Sequence, residues 1–137
     1  MDEIGWCASA TSYYAEIGRQ EGGRVHGPSA PGQLHLTIKE PLGVVAIIVP
    51  FNYPYLLLFW QVAAALGGGN AVVIKPSELT SLSTLMLMEA FASLPAGLVP
   101  CGTGRGGPGR RLGGQTSIHG VAFPGSGHTS LLVAQAC

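Results

Sequence analysis

The 137-residue chain has few charged side chains, 10% of the total, and its positive and negative charges cancel. Proteins that bind nucleic acid or an acidic membrane surface carry an excess of positive charge. We therefore expect no nucleic-acid partner and no membrane partner. Apolar residues make up 47% of the chain, which is too many for a disordered protein and enough to form the core of one ordinary domain.

Cysteine is scarce as well, and Cys7, Cys101 and Cys137 show neither metal-ligand spacing nor an even count for a disulfide framework. The histidines are scattered without ligand spacing, so the sequence predicts no metal site. Free thiols fit a reducing compartment, and the N-terminus "MDEIGWCASA" lacks the apolar segment of a secretory signal. We therefore predict a cytoplasmic protein.

No charged residue lies between Glu40 and Lys75, so a membrane-spanning helix has to be considered. Such a helix needs about 20 consecutive apolar residues. Pro50, Pro54 and the Gly-Gly-Gly-Asn run at 67–70 interrupt the segment, and the apolar stretch between them is too short. The sequence therefore predicts no membrane span.

The first 40 residues have the patterns of a helix followed by a strand. Ile4–Gln20 is predicted to be helical. Segment 21–32 is rich in glycine and proline and predicts loop and turn. Gln33–Glu40 alternates apolar and polar residues, which predicts a half-buried antiparallel strand. The predicted broad face of the helix carries Trp6, Tyr13, Tyr14 and Ile17.

Beyond residue 40, strands that are apolar on both faces alternate with helices. Two-faced apolar strands are typical of a parallel sheet covered by helices, and the alternation predicts an α/β fold. We therefore predict a parallel, Rossmann-like open sheet flanked by helices. Thr80 or Ser81 is the expected N-cap of the second of these helices. The predicted strands are 42–50, 70–76, 97–101 and 118–126, and the predicted helices are 55–66, 80–94 and 128–137.

Each predicted strand ends in a polar or glycine-rich segment. These segments read "PFNYP", "KPSE", "GTGRGG" and "FPGS". Because the carboxyl ends of parallel strands lie along one edge of a sheet, and ligands of open α/β sheets bind at that edge, we expect the four segments to form a ligand site.

Asn52 lies between Pro50 and Pro54, which restrict its loop. A fixed carboxamide N–H group is suited to stabilising a developing oxyanion. Alternatively, Asn52 only satisfies backbone groups of the turn. The residues by themselves leave both interpretations open.

Lys75 and Glu78 follow the second predicted strand of the parallel sheet. Lys75 could donate to a ribose hydroxyl and Glu78 could accept from one, and Glu78 would then favour a free 2′-hydroxyl over a 2′-phosphate. Alternatively, the pair is solvated and Glu78 lies near the positive end of the next helix. Ser126, before the last helix, could touch a pyrophosphate or simply cap that helix.

Residues 104–109 match the pattern G-x-G-x-x-G. A dinucleotide fingerprint should follow the first strand of its unit, whereas this one follows a later and weaker strand. In a chain with 21 glycines, coincidence is the alternative. The neighbouring Arg105, Arg110 and Arg111 either meet phosphate or are solvated.

Several segments, in this order, resemble the NAD(P)-dependent aldehyde dehydrogenase superfamily: "EPLGVVAIIVPFNYP", "LGGGNAVVIKPSELT", "LPAGLV", "GTGRG" and "GVAFPGS". The first two cover Glu40–Thr80 almost continuously. The resemblance implies oxidation of an aldehyde to a carboxylic acid with NAD, and NADP is less expected. It implies an N-terminal helix and oligomerisation-type arm at 1–40, part of a dinucleotide-binding domain at 41–137, and association with further copies.

The resemblance also implies roles for individual residues. Asn52 would donate to the oxyanion of the thiohemiacetal, and it is the one catalytic group implied within this sequence. The residues implied to bind the cofactor are Val49, Pro50 and Phe51 through their backbone, Lys75 and Glu78 at the adenosine ribose, Gly104 and Gly106 beneath the adenine side, and Gly125 and Ser126 at the pyrophosphate.

The sequence departs from the family pattern in two ways. Pro124 replaces the family's usual threonine, so we expect a distorted pyrophosphate turn. The motifs that carry the family's nucleophilic cysteine and general-base glutamate do not occur in the 137 residues, and Cys137 is not assigned the nucleophile's role. We therefore expect a chain that ends inside the cofactor-binding domain and is inactive alone, whether as a truncated product, a fragment or one piece of an assembly.

Two alternatives remain at this level. The chain could be a non-enzymatic nucleotide-binding or interaction module. It could also fold poorly alone and associate through an unpaired sheet edge, which is a known hazard of open sheets. The class of aldehyde is not indicated by these residues.

Overall fold

The structure, a computed structural model, describes residues 2–20 and 22–137, and in the helix at 106–113 it describes the side chains outside 106–108 and 110. The N-terminal part contains helix α1 (Glu3–Gln20) and strands β1 (Arg24–His26) and β2 (His35–Thr37). The rest contains β3 (Val44–Ile48), α2 (Pro54–Gly67), β4 (Ala71–Lys75), α3 (Ser81–Leu87) with a 3₁₀ turn (Met88–Phe91), α4 (Gly106–Gly113), β5 (Gly120–Ala122) and α5 (Gly127–Ala134).

Strands β4, β3 and β5 form a parallel sheet in that spatial order. The register runs from Val44 opposite Ala71 to Ile48 opposite Lys75, and Val45 lies opposite Gly120. The predicted α/β fold with a parallel sheet and flanking helices is therefore confirmed. Its core lies between β3, β4 and α2, where Ile47, Leu58, Val62, Val72 and Ile74 are almost completely buried.

The segment at 97–101, predicted as a strand, forms only an isolated parallel bridge between Ile74 and Cys101. It still runs beside β4: the Ile74 N–H donates to the Pro100 carbonyl at 2.8 Å, and the Gly102 N–H donates back to the Ile74 carbonyl at 2.9 Å. Pro100 has no N–H of its own, so it accepts at this edge but cannot donate to a ladder.

Helix α1 packs along α2 through a face that only partly matches the predicted one. Cys7 and Ala10 are buried and Tyr14 and Ile17 are half-buried, whereas Trp6 and Tyr13 are 45% and 60% exposed. Small residues at the contact let the two helices approach closely, and a Cβ built on Gly18 would lie 2.6 Å from the carbonyl oxygen of Gly67. The prediction therefore holds for Tyr14 and Ile17. Trp6 and Tyr13 are left exposed because close helix packing selects small side chains at the contact.

The N-terminal arm is an antiparallel ribbon of β1 and β2, with Val25 opposite Leu36. Segment 21–32, predicted as loop, therefore contributes strand β1. The half-buried strand predicted at 33–40 is shorter and fully exposed, with Leu36 and Ile38 51% and 65% exposed. Alternation indicated an apolar face, but the described chain packs no element against it. Within the described ranges, no helix combines the length and apolarity needed to cross a membrane.

The first turn of α2 is closed by a side chain from α1. Its N-cap residue, Tyr53, has left-handed backbone angles (φ 48°, ψ 54°) and no side-chain capping bond. Pro54, the first helical residue, has no N–H to satisfy. The next two free donors, the N–H groups of Tyr55 and Leu56, both donate to Glu3 Oε1 at 2.9 Å. Glu3 therefore places a carboxylate at the positive end of α2, where charge and hydrogen bonding both favour it.

We predict that Glu3→Ala lowers the free energy of unfolding by about 1–2 kcal/mol, because the two N–H groups lose their acceptor. Glu3→Gln keeps an acceptor oxygen and should lose less. Glu16→Ala, an exposed substitution on the same helix, serves as the control. Urea unfolding followed by circular dichroism measures all three, and equal stabilities for the Glu3→Ala and Glu16→Ala variants would contradict the assignment.

Candidate ligand cleft at the carboxyl edge of the sheet

The carboxyl ends of β3, β4 and β5 open onto one cleft of about 1010 Å³. Its walls combine the segments after the three strands with one buried glycine of α4 and one face of α5. The lining residues are Ile48, Val49, Pro50, Phe51, Asn52, Lys75, Ser77, Glu78, Gly109, Phe123, Pro124, Gly125, Ser126, Thr129, Leu132 and Val133. The parallel register brings the three strand ends to this edge, as expected for an open α/β sheet.

The segment after β3 forms one side of the cleft and continues the sheet by one more hydrogen bond. The Val49 N–H donates to the Lys75 carbonyl at 3.1 Å, and Val49 is buried. Phe51 and Asn52 are exposed at the cleft. Among the described residues, no hydrogen bond involves the Asn52 carboxamide. No contact therefore supports the interpretation that Asn52 satisfies backbone groups of the turn. The carboxamide remains able to donate to a ligand.

Lys75 and Glu78 form an ion pair at the second strand end, with Nζ and Oε2 3.9 Å apart. The Lys75 side chain is 7% exposed and that of Glu78 is 53% exposed. An ammonium at the end of a largely buried side chain is stabilised by close hydrogen-bond acceptors, and 3.9 Å is longer than a hydrogen bond. Within the described chain Lys75 has no hydrogen bond through Nζ, so an oxygen-rich ligand in the cleft would supply the missing acceptor.

The turn between β5 and α5 forms the opposite side of the cleft. Ser126 is the N-cap of α5, and its Oγ accepts from the Thr129 N–H at 3.4 Å, so the capping interpretation is observed. The Gly125 N–H donates to the Phe123 carbonyl at 3.1 Å across Pro124. This three-residue turn suits the fixed φ of proline. It uses the Gly125 N–H internally, so that group is not directed at a ligand.

Two glycines predicted for the site are not shown at the cleft. Gly104 is half-buried with φ 152° and does not line it. Gly106 begins α4, and its surroundings lie outside what the structure describes. Gly109, the last glycine of the G-x-G-x-x-G match, is buried and lines the cleft instead, and a Cβ built on it would lie 3.8 Å from Ile48. The helix therefore contributes a glycine three positions later than expected.

The apolar wall of the cleft was not predicted. Leu132 and Val133 of α5 line it together with Thr129, one turn earlier, and with Phe123 from the end of β5. The spacing of 129, 132 and 133 is that of one helix face, which is the signal that could have revealed it. A cleft lined by both apolar side chains and polar strand ends suits a ligand with both a ring and hydroxyl groups.

A smaller cavity of about 310 Å³ is also lined by Lys75. The loop after residue 101 and the C-terminal part of α4 contribute to its walls. The other residues around it are Val73, Gly102, Thr103, Arg111, Leu112 and Gln115.

None of the cysteines lines either cavity within the described chain. Cys7 is buried between α1 and α2, and burial, with the nearby carboxylates of Glu3 and Asp2, raises its pKa to about 11. Burial also raises the pKa of Cys101. Thiols held in the neutral form are poor nucleophiles. Among the described residues, no group of three or more histidines, cysteines and carboxylates could hold a metal ion.

The fold and cleft define an open parallel α/β protein with a cleft at the carboxyl edge of its sheet. A model of the aldehyde dehydrogenase family matches residues 1–137. NADP/NAD-dependent aldehyde dehydrogenase PuuC of Escherichia coli (strain K12) is 39% identical over 131 residues, which covers 93% of this chain and 26% of that protein. The chain belongs to the aldehyde dehydrogenase family, and it spans about a quarter of the length of that relative.

Comparison with solved structures supports the same family. PnpE from Pseudomonas sp. WBC-3, in complex with nicotinamide adenine dinucleotide, is 34% identical with a TM-score of 0.90, covering 98% of this chain and 28% of that one. An NADP dependent enzyme of Escherichia coli is 30% identical with a TM-score of 0.93, covering 98% of this chain and 29% of that one. Aldehyde dehydrogenases use NAD or NADP, and the PnpE structure contains the former.

We predict that Gly125→Ala disturbs the turn after β5, because a Cβ at this position would overlap the ring of Phe123. The ring must move into the cleft or the turn must shift, at a cost of about 1–3 kcal/mol. Gly127→Ala is the matched control, since a Cβ there meets no atom within 4 Å. Thermal unfolding of both variants measures the difference, and a Gly125→Ala protein as stable as the control would contradict the placement of Phe123.

We predict that Cys7 makes stability fall at high pH. The folded state holds the thiol neutral until about pH 11, whereas its usual pKa is 9.0, so the unfolded chain loses this proton first. The free energy of unfolding should therefore be unaffected below pH 8 and should fall as pH rises from 9 to 11, by up to about 2–3 kcal/mol. Measuring the free energy of unfolding of Cys7→Ala over the same pH range corrects for the other titrating groups. If the two proteins lose stability in parallel as the pH rises, the prediction is refuted.

Proposed function

We propose that residues 1–137 bind the adenosine part of a nicotinamide dinucleotide and present the oxyanion donor of an NAD-dependent aldehyde dehydrogenase. The observation that carries the proposal is the meeting of Asn52, Lys75, Glu78 and Ser126, which follow three different strands, around one cleft. Family membership supports aldehyde oxidation as the activity to which this cleft belongs.

The residues present fit the adenosine ribose. The Lys75 side chain is largely buried at the cleft and its ammonium has no close acceptor within the described chain, and the exposed carboxylate of Glu78 lies 3.9 Å from it. A ribose diol has both acceptors and donors, so Lys75 would donate to one hydroxyl and Glu78 would accept from the pair. Because Glu78 repels a 2′-phosphate placed against it, we infer that NAD is preferred over NADP.

The remaining parts of the cofactor would lie along the other walls. Val49, Pro50 and Phe51 line the cleft after β3, and Leu132 and Val133 of α5 line it as well. Ser126 and the start of α5 supply a helix N-terminus, which favours an anionic pyrophosphate. Because the Gly125 N–H is engaged with Phe123, we infer that this turn contributes through Ser126 and the helix end.

Asn52 would stabilise the oxyanion that forms when a thiolate adds to an aldehyde carbonyl, since its carboxamide is exposed at the cleft and not otherwise bonded within the described chain. When bound, the nicotinamide supplies the hydride acceptor for oxidation. Residues 1–137 hold no thiolate near this point, because the thiols of Cys7 and Cys101 are kept neutral and Cys137 lies outside the cleft. We therefore propose cofactor binding without aldehyde turnover for this polypeptide.

The test is titration of the purified chain with NADH, followed by fluorescence, together with assays of NAD reduction over a panel of aldehydes. Lys75→Met should weaken NADH binding by about tenfold or more, because a charge-assisted hydrogen bond is lost. Lys39→Met, at the chain's other lysine and outside the cleft, should leave it unchanged. Failure of NADH to bind, or aldehyde-dependent reduction of NAD that a cysteine substitution abolishes, would overturn the proposal.

A further inference from the structure

Two histidines face each other across the exposed ribbon of β1 and β2. The antiparallel register places His26 directly opposite His35. Residues directly opposite in such a ribbon point to the same face, with Cβ atoms about 4.5–5.5 Å apart. Both side chains are exposed, so the two imidazoles can turn toward one shared ligand. Because the pair is created by strand register, the spacing of the histidines along the chain did not indicate it.

The ring of His35 is oriented by Ser29, which lies in the loop that joins the two strands. Ser29 Oγ donates to Gln33 Oε1 at 3.0 Å and lies 3.3 Å from His35 Nε2. A hydroxyl group has a single proton, and this one is used on the Gln33 oxygen. His35 Nε2 must therefore carry the ring proton and donate it to Ser29, which leaves the lone pair of the ring on Nδ1.

The loop itself fixes the position of Gln33. The Gln33 N–H donates to the Ala30 carbonyl at 3.3 Å, which closes a turn. Pro31 occupies the second position of this turn and Gly32, with φ 81°, the third. This is the pattern of a type II turn. The contacts that orient His35 are therefore present without any ligand.

An imidazole that donates one N–H to an oxygen and keeps its other nitrogen unprotonated has the arrangement of a metal-ligating histidine. Within the described chain, the ring of His26 makes no hydrogen bond that would occupy its nitrogens. Imidazole nitrogens suit divalent transition metals such as Zn²⁺, Ni²⁺ and Cu²⁺, whereas Mg²⁺ and Ca²⁺ prefer oxygen. No third histidine, cysteine or carboxylate joins the pair among the described residues, so water must complete the coordination.

We propose that His26 and His35 form a two-histidine site for a divalent transition-metal ion, which links β1 to β2. Arg24 lies one pair further along the same face, opposite Thr37, and its positive charge lowers the affinity for a cation. A two-stranded ribbon is only marginally stable by itself. The contacts of this ribbon are mainly those between its own two strands, so the ion would hold together an arm that the core supports little.

The experiment titrates the whole chain with nickel chloride while NMR follows the ring C–H signals of its four histidines. Paramagnetic Ni²⁺ broadens the signals of the rings that it binds. We expect the signals of His26 and His35 to broaden together, at concentrations about tenfold below those needed for His119 and His128, because two ligands share one ion. Zn²⁺ should shift the same two signals, and Mg²⁺ at equal concentration should shift neither.

Variants separate a shared site from two independent histidines. His26→Ala and His35→Ala should each weaken Ni²⁺ binding by about tenfold or more, since one of the two ligands is lost. Ser29→Ala should weaken it less, because it removes only the partner that orients the His35 ring. His128→Ala, at an exposed histidine of α5, is the matched control and should leave binding unchanged. Unchanged thermal unfolding verifies that each variant keeps its core.

Four results would overturn the inference. The first is an equal response of all four histidines, which would mean adventitious binding only. The second is a response of His35 that His26→Ala does not alter, which would mean that each ring binds alone. The third is loss of binding in Cys137→Ser, which would place the ion on that exposed thiol. The fourth is the absence of any response to Ni²⁺ and Zn²⁺.

Discussion

The parallel pairing of β3 with β4 is the constraint on which the rest of the structure depends. The register runs without a break from Val44 opposite Ala71 to Ile48 opposite Lys75, and the Val49 N–H adds one more hydrogen bond to the Lys75 carbonyl. Because side chains alternate along a strand, a slip by one residue would move Lys75 to the other face. This register therefore places the loop that carries Asn52 and the ammonium of Lys75 at the same cleft.

Two helices support this arrangement, α2 by packing on the sheet and α1 by packing on α2. Helix α2 buries Leu58 and Val62 against the sheet, and its N-terminus is satisfied by Glu3 of α1. The segment between β3 and α2 is thus held at both ends, by sheet hydrogen bonds at Val49 and by the capped first turn after Tyr53. Such restraint suits a donor that must stay fixed while charge develops on a substrate, and it makes α1 part of the site's support.

Much of the fold could be predicted from local patterns. The two-faced apolar runs predicted β3 and β4, and the apolar stretch after Pro54 predicted α2, because burial on both sides leaves a clear signal in composition. The weak pairing at Cys101 agrees with the weaker strand expected there, because Pro100 lies within the segment. The exposed β1 and the small residues at the contact of α1 were not predicted, since they depend on partners distant in sequence: a second strand and a neighbouring helix. No window of residues contains that information.

The candidate site also combines features that the sequence predicts with features that it does not. Asn52, Lys75, Glu78 and Ser126 could be selected from sequence because each follows a strand or precedes a helix in a recognisable motif. The sequence could not predict the position of Gly109 in the cleft, the hydrogen bond between the Gly125 N–H and the Phe123 carbonyl, or the smaller cavity beside Lys75. They depend on how α4 and α5 pack over the strand ends, which is a matter of three-dimensional contact.

The sequence by itself determined which segments are buried strands and which polar groups follow them, because burial and turn chemistry are encoded by neighbouring residues. Only the tertiary structure decided the surroundings of those groups. It buried most of the Lys75 side chain beside two cavities and left the Glu78 side chain about half exposed. The physical reason is that desolvation depends on every atom packed around a charge, and most of those atoms come from other parts of the chain.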